Sequence, residues 1–428
     1  VQFPELLDAL GVTDPDGDLA AHWEESLATL PLDAPTFLRP ERISEWREFC
    51  RISPEVDGVL HEAARVIDGD PHLRAFAWHL YRRLYVHVES GGFSDWPSLD
   101  RRLPDAPDAV YLLVCLAAVP GTLKAHAHLG VPLDITRDTM LEVKCFAANY
   151  ADWTGGRVGI IKSQVFWLRH YPAGRLFRVG RFEFMIQPFR GDLSVYRHRE
   201  SGKVVALSGD GVTYDARGYI PIPGLTDQQL GFTARLEESD GAVTGNVVSP
   251  RGIGLPERVR LSLAEWEPVL SPGDLTLDMH IPSGGGMTPE ACQDAMVRGL
   301  EFFARTFPDR PVSTVSCFSW IYNPELETIL GNDSNLVRHL KELYLFPIRS
   351  TGRDGLFFLF YDDDIDPKTA RRDTSVRRAV LDHLNAGGRL RSSGMFALGR
   401  DLSDYGMGIY RRDWPAEGLP PWLAGLRV

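Results

Sequence analysis

An α+β fold is what this chain of 428 residues predicts. Three observations carry the prediction. Apolar residues recur at helical spacing through the first third. Near Arg175 the period changes to two and stays so through the middle third. Then the apolar stretch "DLTLDMHI" runs into Gly284-Gly285-Gly286 and on into a long amphipathic helix, after which helices and strands mix to the end. A helical block followed by antiparallel strands predicts two domains. The expected division is a helical domain over 1–172 and a sheet with flanking helices over 173–428.

The helical block opens with "HLRAFAWHLYRRLYVHV", where Leu73, Phe76, Ala77, Leu80, Leu84 and Val88 form one stripe. The longest apolar run, Val110–Val119, is about half of a membrane span, and Pro120 is expected to end it. A buried helix and no membrane span follow. In "ITRDTMLEVKCFAANYADW", Thr136 reads as a cap, Asp138 as a first-turn acid, and Met140, Val143, Phe146, Ala147 and Tyr150 as the buried stripe. "GIIKSQVFWLRHY" is a further short helix.

Strands begin with "RLFRVGRFEFMIQPF", whose apolar members alternate. Glu200-Ser201-Gly202 and Ser239-Asp240-Gly241 read as tight turns between antiparallel strands. Beyond the glycines come a strand "VSTVSCFSW", helices over "NPELETIL" and "SNLVRHLKEL", and strands "YLFPIRS" and "GLFFLFYD". A last helix, "TSVRRAVLDHLNAGG", leads to "GMFALGR".

Composition excludes some functions. The formal net charge of −12 argues against a nucleic-acid or anionic-membrane surface as the main partner. Five cysteines stand far apart with no CxxC, so neither a disulfide framework nor a zinc ribbon is expected. "VQFPELLDALGV" lacks a basic start and a long apolar run, so a reducing, cytoplasmic setting is expected.

The glycines stand just before a helix start. Thr288 suits the cap, and Pro289 suits the first helical position, where its missing N–H is not needed. Glycines bring backbone N–H groups to a point off that end, where the helix dipole adds positive potential. Such a loop either holds an anion, a pyrophosphate above all, or is a plain strand-to-helix connection. No Lys follows as in a P-loop, and GxGxxG is absent, which disfavours nucleotide triphosphatases and Rossmann dehydrogenases. Glu290 in the first turn favours the helix but repels a phosphate.

The stretches "VPLDITRDTM", "WLRHYPAGRLFRVGRFEF", "LDMHIPSGGGMTPEA", "CFSWIYNPEL" and "DSNLVRHL" resemble a bacterial family of acyltransferase domain-containing proteins. Its members join a helical N-acyltransferase N-terminal region to a GNAT-like C-terminal region. The matching stretches run from about residue 70 to 400. The resemblance implies a GNAT-like mixed, mostly antiparallel sheet flanked by helices. It implies an N-acyltransferase that moves an acyl group from a thioester to an amine. The donor would be acyl-CoA or a phosphopantetheine-bound acyl group on an acyl carrier protein, without a metal. The acceptor would be a small-molecule or peptide amine. Ile281, Ser283, Gly284, Gly285, Gly286, Met287 and Thr288 would hold the donor's phosphate, with Ser334 and Asn335 as further donor contacts. The chain departs from the usual GNAT loop, Arg/Gln-x-x-Gly-x-Gly/Ala, because Pro282 and Ser283 lead into the glycines. Glu342 stands where a general-acid Tyr is usual, and Tyr344 comes two places later. A non-catalytic module that binds an acyl thioester or a protein partner is the alternative.

Amide formation from a thioester needs an amine relieved of a proton, a polarised carbonyl and a thiolate leaving group. His280 ends the strand before the loop, and histidine's ordinary pKa near 6.5 suits a base. Packing under the sheet is its plain alternative. Ser319 and Asn323 in "SCFSWIYNP" are candidates to hold the acyl carbonyl or the acceptor, or else to cap the next helix. Cys292 and Cys317 are candidates for an acyl-cysteine, with buried structural thiols the commoner case. His126 and His128 have the same-face spacing of a strand but no third metal ligand nearby. Tyr361–Asp366 lacks the EF-hand pattern and reads as a solvated loop. "RRDTSVRR" is either a docking face for an acidic carrier or a solvated helix face.

Overall fold

The computed structural model describes residues 1–14, 17–87 and 96–428. Val88, assigned above to a helical stripe, lies outside the described residues. The chain divides into two compact units. One comprises Val1–Val179 with Pro282–Gly284, the other Gly180–Ile281 with Gly285–Val428.

The first unit is built around the helix Ala109–Leu116, every residue of which is buried. The helices Pro40–Phe49, Asp57–Gly69, Pro71–Tyr85 and Leu133–Thr154 all pack on it. Asp70 caps Pro71–Tyr85, its carboxylate accepting from His72 N at 2.8 Å and Leu73 N at 3.3 Å.

Pro120 does not end the apolar run as expected. It sits in the first turn of the next helix, Ala118–His128, where no intrahelical N–H is required of it. Ala109–His128 together is long and apolar enough to cross a membrane, and 72% of its apolar window is buried inside the protein, as in a core helix. Thr136 is likewise not a cap. The long helix starts earlier, at Leu133 after Pro132. Asp134, not Asp138, is the first-turn acid. Thr136 Oγ1 donates back to Pro132 O at 3.3 Å and lies 2.9 Å from His126 Nδ1. His126 and His128 stand on a helix rather than a strand. Two residues apart there means opposite sides, so His126 is buried and His128 is exposed. A short strand, β1 (Phe177–Val179), lies along Leu133–Thr154, with Arg178 N donating to Thr139 Oγ1 at 3.0 Å.

The second unit holds the other strands. They are β2 (Phe182–Pro188), β3 (Leu193–His198), β4 (Val204–Ser208), β5 (Thr213–Asp215), β6 (Leu230–Thr233), β7 (Leu236–Ser239) and β8 (Ala242–Ser249). After these come β9 (Ile253–Ser262), β10 (Trp266–Leu270), β11 (Leu275–His280), β12 (Thr314–Ser319), β13 (Tyr344–Pro347) and β14 (Ser393–Leu398). Within this unit one sheet has the order β2-β11-β12-β14-β13, antiparallel except for the parallel pair β11–β12. A second sheet runs β10-β3-β4-β8-β7, with β9 also paired to β8. Phe189, Val195, Ala206, Val248, Tyr344, Phe346 and Phe396 form the core between the two sheets. Tyr344 ties them polar to polar, accepting from Ala206 N at 3.1 Å and donating to Val248 O at 2.6 Å.

The helix Pro289–Thr306 packs on the other face of the first sheet. Gly299 is needed there, because a Cβ would lie 3.0 Å from the ring of Phe184. The stretch "GLFFLFYD" is a short helix, Leu356–Phe360, not a strand. Its run of five apolar residues has no alternation to fix a period. Gly355 and Tyr361 bound it in the left-handed region, and Asp363 Oδ1 accepts from Phe357 N at 3.1 Å.

Candidate active site

The central strands of the first sheet part company. β11 pairs with β2 along its whole length, from Leu275↔Pro188 to His280↔Glu183. Its parallel ladder to β12 is confined to Leu277↔Val315 and Asp278↔Ser316. Both strands continue, β12 still paired to β14 as far as Ser319↔Ser393. The sheet therefore opens between the C-terminal ends of two parallel central strands, where open α/β sheets take their ligands.

Alternation along β11 puts Thr276, Asp278 and His280 on one face. Thr276 Oγ1 lies 2.8 Å from Ser316 Oγ. His280 Nε2 is 3.3 Å from Asp278 Oδ2, within ion-pairing distance. The Asp278 side chain is only 6% exposed and that of His280 29%. Arg190 also approaches Asp278, at 3.8 Å, and its guanidinium lies over the Phe318 ring at 5.1 Å. Glu183 stands opposite His280 in the ladder and is buried. Residues directly opposite in an antiparallel pair share a face. His280 thus has Asp278 beside it and Glu183 opposite it in the ladder, two acids that sequence reasoning missed. Their signal was spacing: Asp278 is two residues before His280, and Glu183 is the polar residue between Phe182 and Phe184.

A carboxylate at Nε2 favours the tautomer with the proton there, which makes Nδ1 the basic nitrogen. His280 is therefore on the polar face, not packed against the helix behind the sheet.

The loop after β11 follows its expected plan. Gly284 and Gly285 hold φ of 78° and 71°, left-handed values that exact a strain from any residue with a Cβ. Thr288 Oγ1 accepts from Ala291 N at 3.3 Å, and Pro289 is the first helical residue. Among the described residues, the backbone N–H groups of Gly285, Gly286, Met287 and Thr288 donate no hydrogen bond within the protein. Arg181, also missed, donates from Nε to Gly286 O at 3.0 Å. It comes from the turn before β2, remote in sequence from the loop, which is why no local motif shows it. Ser283 and Gly284 cluster with the first unit, where Cys145 Sγ donates to Ser283 O at 3.5 Å. Ile281 is half-buried at the end of β11.

Of the remaining candidates, Ser319, Asn323 and the two cysteines are engaged structurally. Ser319 accepts from Ile321 N at 3.5 Å and caps a short 3-10 turn. Asn323 is fully buried, and its Oδ1 accepts from Glu325 N at 3.1 Å, while its Nδ2 has no partner among the described residues. Ser334 and Asn335 start the helix Asn335–Lys341, Ser334 making no side-chain cap bond. Cys292 and Cys317 are buried. Burial pushes the Cys292 thiol up to about 12 and the Cys317 thiol well above its ordinary value, so neither is a nucleophile at neutral pH.

On the helix-covered face, His339 is fully buried and lies 2.6 Å from Tyr405 Oη and 3.4 Å from Tyr322 Oη. Burial depresses it to about 3, with the Arg181 charge adding to the effect. Glu342 holds the loop after Tyr405 by accepting from Gly406 N and Gly408 N, both at 2.8 Å.

The arginines of "RRDTSVRR" pair within the protein. Arg371 and Arg377 meet Asp373 at 2.6 and 2.9 Å, and Arg372 meets Asp382 at 2.7 Å. In Tyr361–Asp366 the acids cap local turns, as with Asp362 Oδ1 accepting from Asp364 N at 2.8 Å.

Comparisons with known proteins bear on both units. The domain family described as GNAT-like C-terminal domain matches residues 176–396, and the one described as N-acyltransferase N-terminal domain matches residues 41–173. No curated protein sequence matches the chain. Among solved structures, a mutant acyltransferase in complex with octanoyl-CoA superposes with a TM-score of 0.62 at 17% identity, over 92% of this chain and 98% of that one. An acyltransferase in complex with decanoyl-CoA and teicoplanin gives the same figures, TM-score 0.62, 17%, 92% and 98%. A complex with CoA and 10C-teicoplanin gives 0.60 at 17% identity, with 92% and 98% covered. At such identity the likeness is one of fold.

Proposed function

The chain belongs to the family that carries the GNAT-like C-terminal domain, here joined to an N-acyltransferase N-terminal domain, and on that footing we propose that it transfers an acyl group from an acyl-CoA to the amine of a small molecule. The observation that carries the site assignment is the opened β11–β12 pair, with the Asp278–His280 couple at its mouth and the undonated amides of Gly285–Thr288 just beyond.

In this reading the loop amides and the Pro289–Thr306 helix start hold the donor's pyrophosphate. Arg181 supplies the cation that the loop's head lacks, since a guanidinium can bind a phosphate through its terminal nitrogens while Nε stays on Gly286 O. The donor thioester then lies along the strand opening. An amine arrives as an ammonium. His280 Nδ1 takes one proton from it and passes that proton to solvent, and Asp278 stabilises the imidazolium formed. The amine nitrogen attacks the carbonyl, the C–S bond breaks, and the second nitrogen proton goes to the departing thiolate. The balance is thioester plus ammonium giving amide, thiol and one proton.

A carrier-protein donor, a peptide acceptor, contacts of Ser334 and Asn335 with the donor, and of Ser319 and Asn323 with the acyl carbonyl, belong to the same reading. So do the division near residue 173 and a cytoplasmic location, which cell fractionation tests.

The test is product analysis. Octanoyl-CoA and decanoyl-CoA are the first donors to try and teicoplanin the first acceptor, because solved acyltransferases of this fold hold them. A panel of other amines follows, with thiol release and product mass as readouts. Acylated amine with stoichiometric thiol supports the proposal. Saturable CoA binding without product from any amine would leave a thioester-binding module instead, and no CoA binding would overturn both.

A further inference from the structure

The first unit carries a second cluster of chemically competent side chains that acyl transfer does not use. His22, Glu25 and His87 bring three ligand atoms within 4.8 Å of one another. His22 precedes the helix Trp23–Leu27, Glu25 lies within it, and His87 follows the helix Pro71–Tyr85. The two imidazole rings stack 4.1 Å apart at 9°. One carboxylate reaches both, with Oε1 3.1 Å from His22 Nδ1 and Oε2 3.7 Å from His87 Nε2. We propose that His22, Glu25 and His87 form a binding site for a divalent transition metal of the zinc type.

Three features carry this. Two imidazoles and a carboxylate are the donor set preferred by zinc and its neighbours rather than by magnesium or calcium. The Arg82 guanidinium lies 3.2 Å from His87 Nε2. A guanidinium only donates, so that nitrogen presents a lone pair, the form in which a metal takes it. His22 also holds φ of 64°, a left-handed conformation disfavoured for a residue with a Cβ.

Ligand atoms on a tetrahedral zinc stand about 3.4 Å apart, so closure needs shifts of about 1 Å, an opening of the ring stack and withdrawal of Arg82. Glu25 supplies one negative charge, and Arg82 and Arg83 set positive charge beside His87. The affinity is therefore modest. Three protein ligands leave the fourth position to water. The bound ion would clasp Trp23–Leu27 to the end of Pro71–Tyr85.

The experiment uses the full chain, stripped with a chelator and carrying Cys145→Ser so that its half-buried thiol does not compete. Calorimetric titration with ZnCl2 should give one equivalent bound with Kd of about 10 µM or tighter. Co2+ should give weak d–d bands without thiolate charge transfer. His22→Ala, Glu25→Gln and His87→Ala should each weaken zinc by roughly tenfold or more with unchanged circular dichroism. Zinc should raise Tm in the parent and not in His87→Ala. No saturable binding below about 1 mM would overturn the site. So would affinity retained in two or more of the three variants, which would place the ion elsewhere.

Discussion

Two histidines sit on opposite faces of one sheet. His280 stands on the polar face, partly exposed, beside Asp278 and opposite Glu183. His339 lies on the helix-covered face, fully buried beside Tyr405 and Tyr322 and near the Phe182 ring. Both have polar neighbours, so neighbours alone do not distinguish them. Access and desolvation do. Burial without a carboxylate holds His339 neutral down to about pH 3, whereas His280 keeps part of its ring open to solvent with the Asp278 carboxylate at 3.3 Å. A base must exchange its proton with both substrate and solvent, and only the polar face allows that.

The sharpest break in this comparison is His280→Ala. Turnover with a confirmed acceptor should fall roughly 10²-fold or more, with loss of the acidic limb of the pH profile. Near-normal turnover with an unchanged profile would leave His280 a spectator. Gly286→Glu comes next. Its backbone is outside the left-handed region and a Cβ there would meet only Thr288 Cγ2, at an ordinary contact distance of 3.8 Å, so the new carboxylate tests charge without strain. CoA affinity should fall by at least about tenfold from repulsion at the loop. An unchanged Kd by calorimetry would remove the loop from the donor site. Arg181→Ala should raise the donor KM by about tenfold, the worth of one charge-assisted hydrogen bond, with kcat little changed. Equal loss in both, or none, contradicts its assignment to phosphate.

His339→Gln should matter least to chemistry, with turnover within about threefold, since an amide keeps polar contacts to the tyrosines. Its signature belongs to stability. An unfolded histidine takes a proton near pH 6.5, but folded His339 does so only at about 3. Between those values the unfolded state binds more protons, so this contribution is present above pH 6.5 and is lost as pH falls toward 3. At pH 5 the loss is of order 2 kcal/mol. The variant should lose less stability than the parent between pH 7 and pH 5 in denaturant titrations. Parallel curves would show that His339 is not the group responsible.

Long periodic segments were legible. The helices around Ala109–Leu116, the change to strands after Arg175 and the capped helix at Thr288 all follow from spacing and cap residues. Short apolar runs were not. "GLFFLFYD" is too short for its period to choose helix or strand, and Thr136 was mistaken for a cap because its hydroxyl serves His126 instead. At the site, His280 and the glycines were readable because they are neighbours in sequence. Glu183 and Arg181 were not, because a strand pairing and a turn remote in sequence bring them there. Pro120 shows a third limit, since a proline that reads as a helix stop can equally sit in the first turn of a new helix.

The ladder between β2 and β11 has a consequence for how the chain reaches its fold. All of β3 to β10 lies between these two adjacent strands. Closing that ladder before the intervening sheet has formed would confine a long, still-flexible segment, at a cost in chain entropy that grows with its length. The second sheet can start from the local hairpins β3–β4 and β8–β9 and is suited to collapse first, and its own closing β10–β3 ladder then brings Pro188 and Leu275 together. The opened strand pair is then completed late, so the proposed donor site should appear in refolding after most of the β-structure, as a slow recovery of CoA binding behind a faster far-ultraviolet signal.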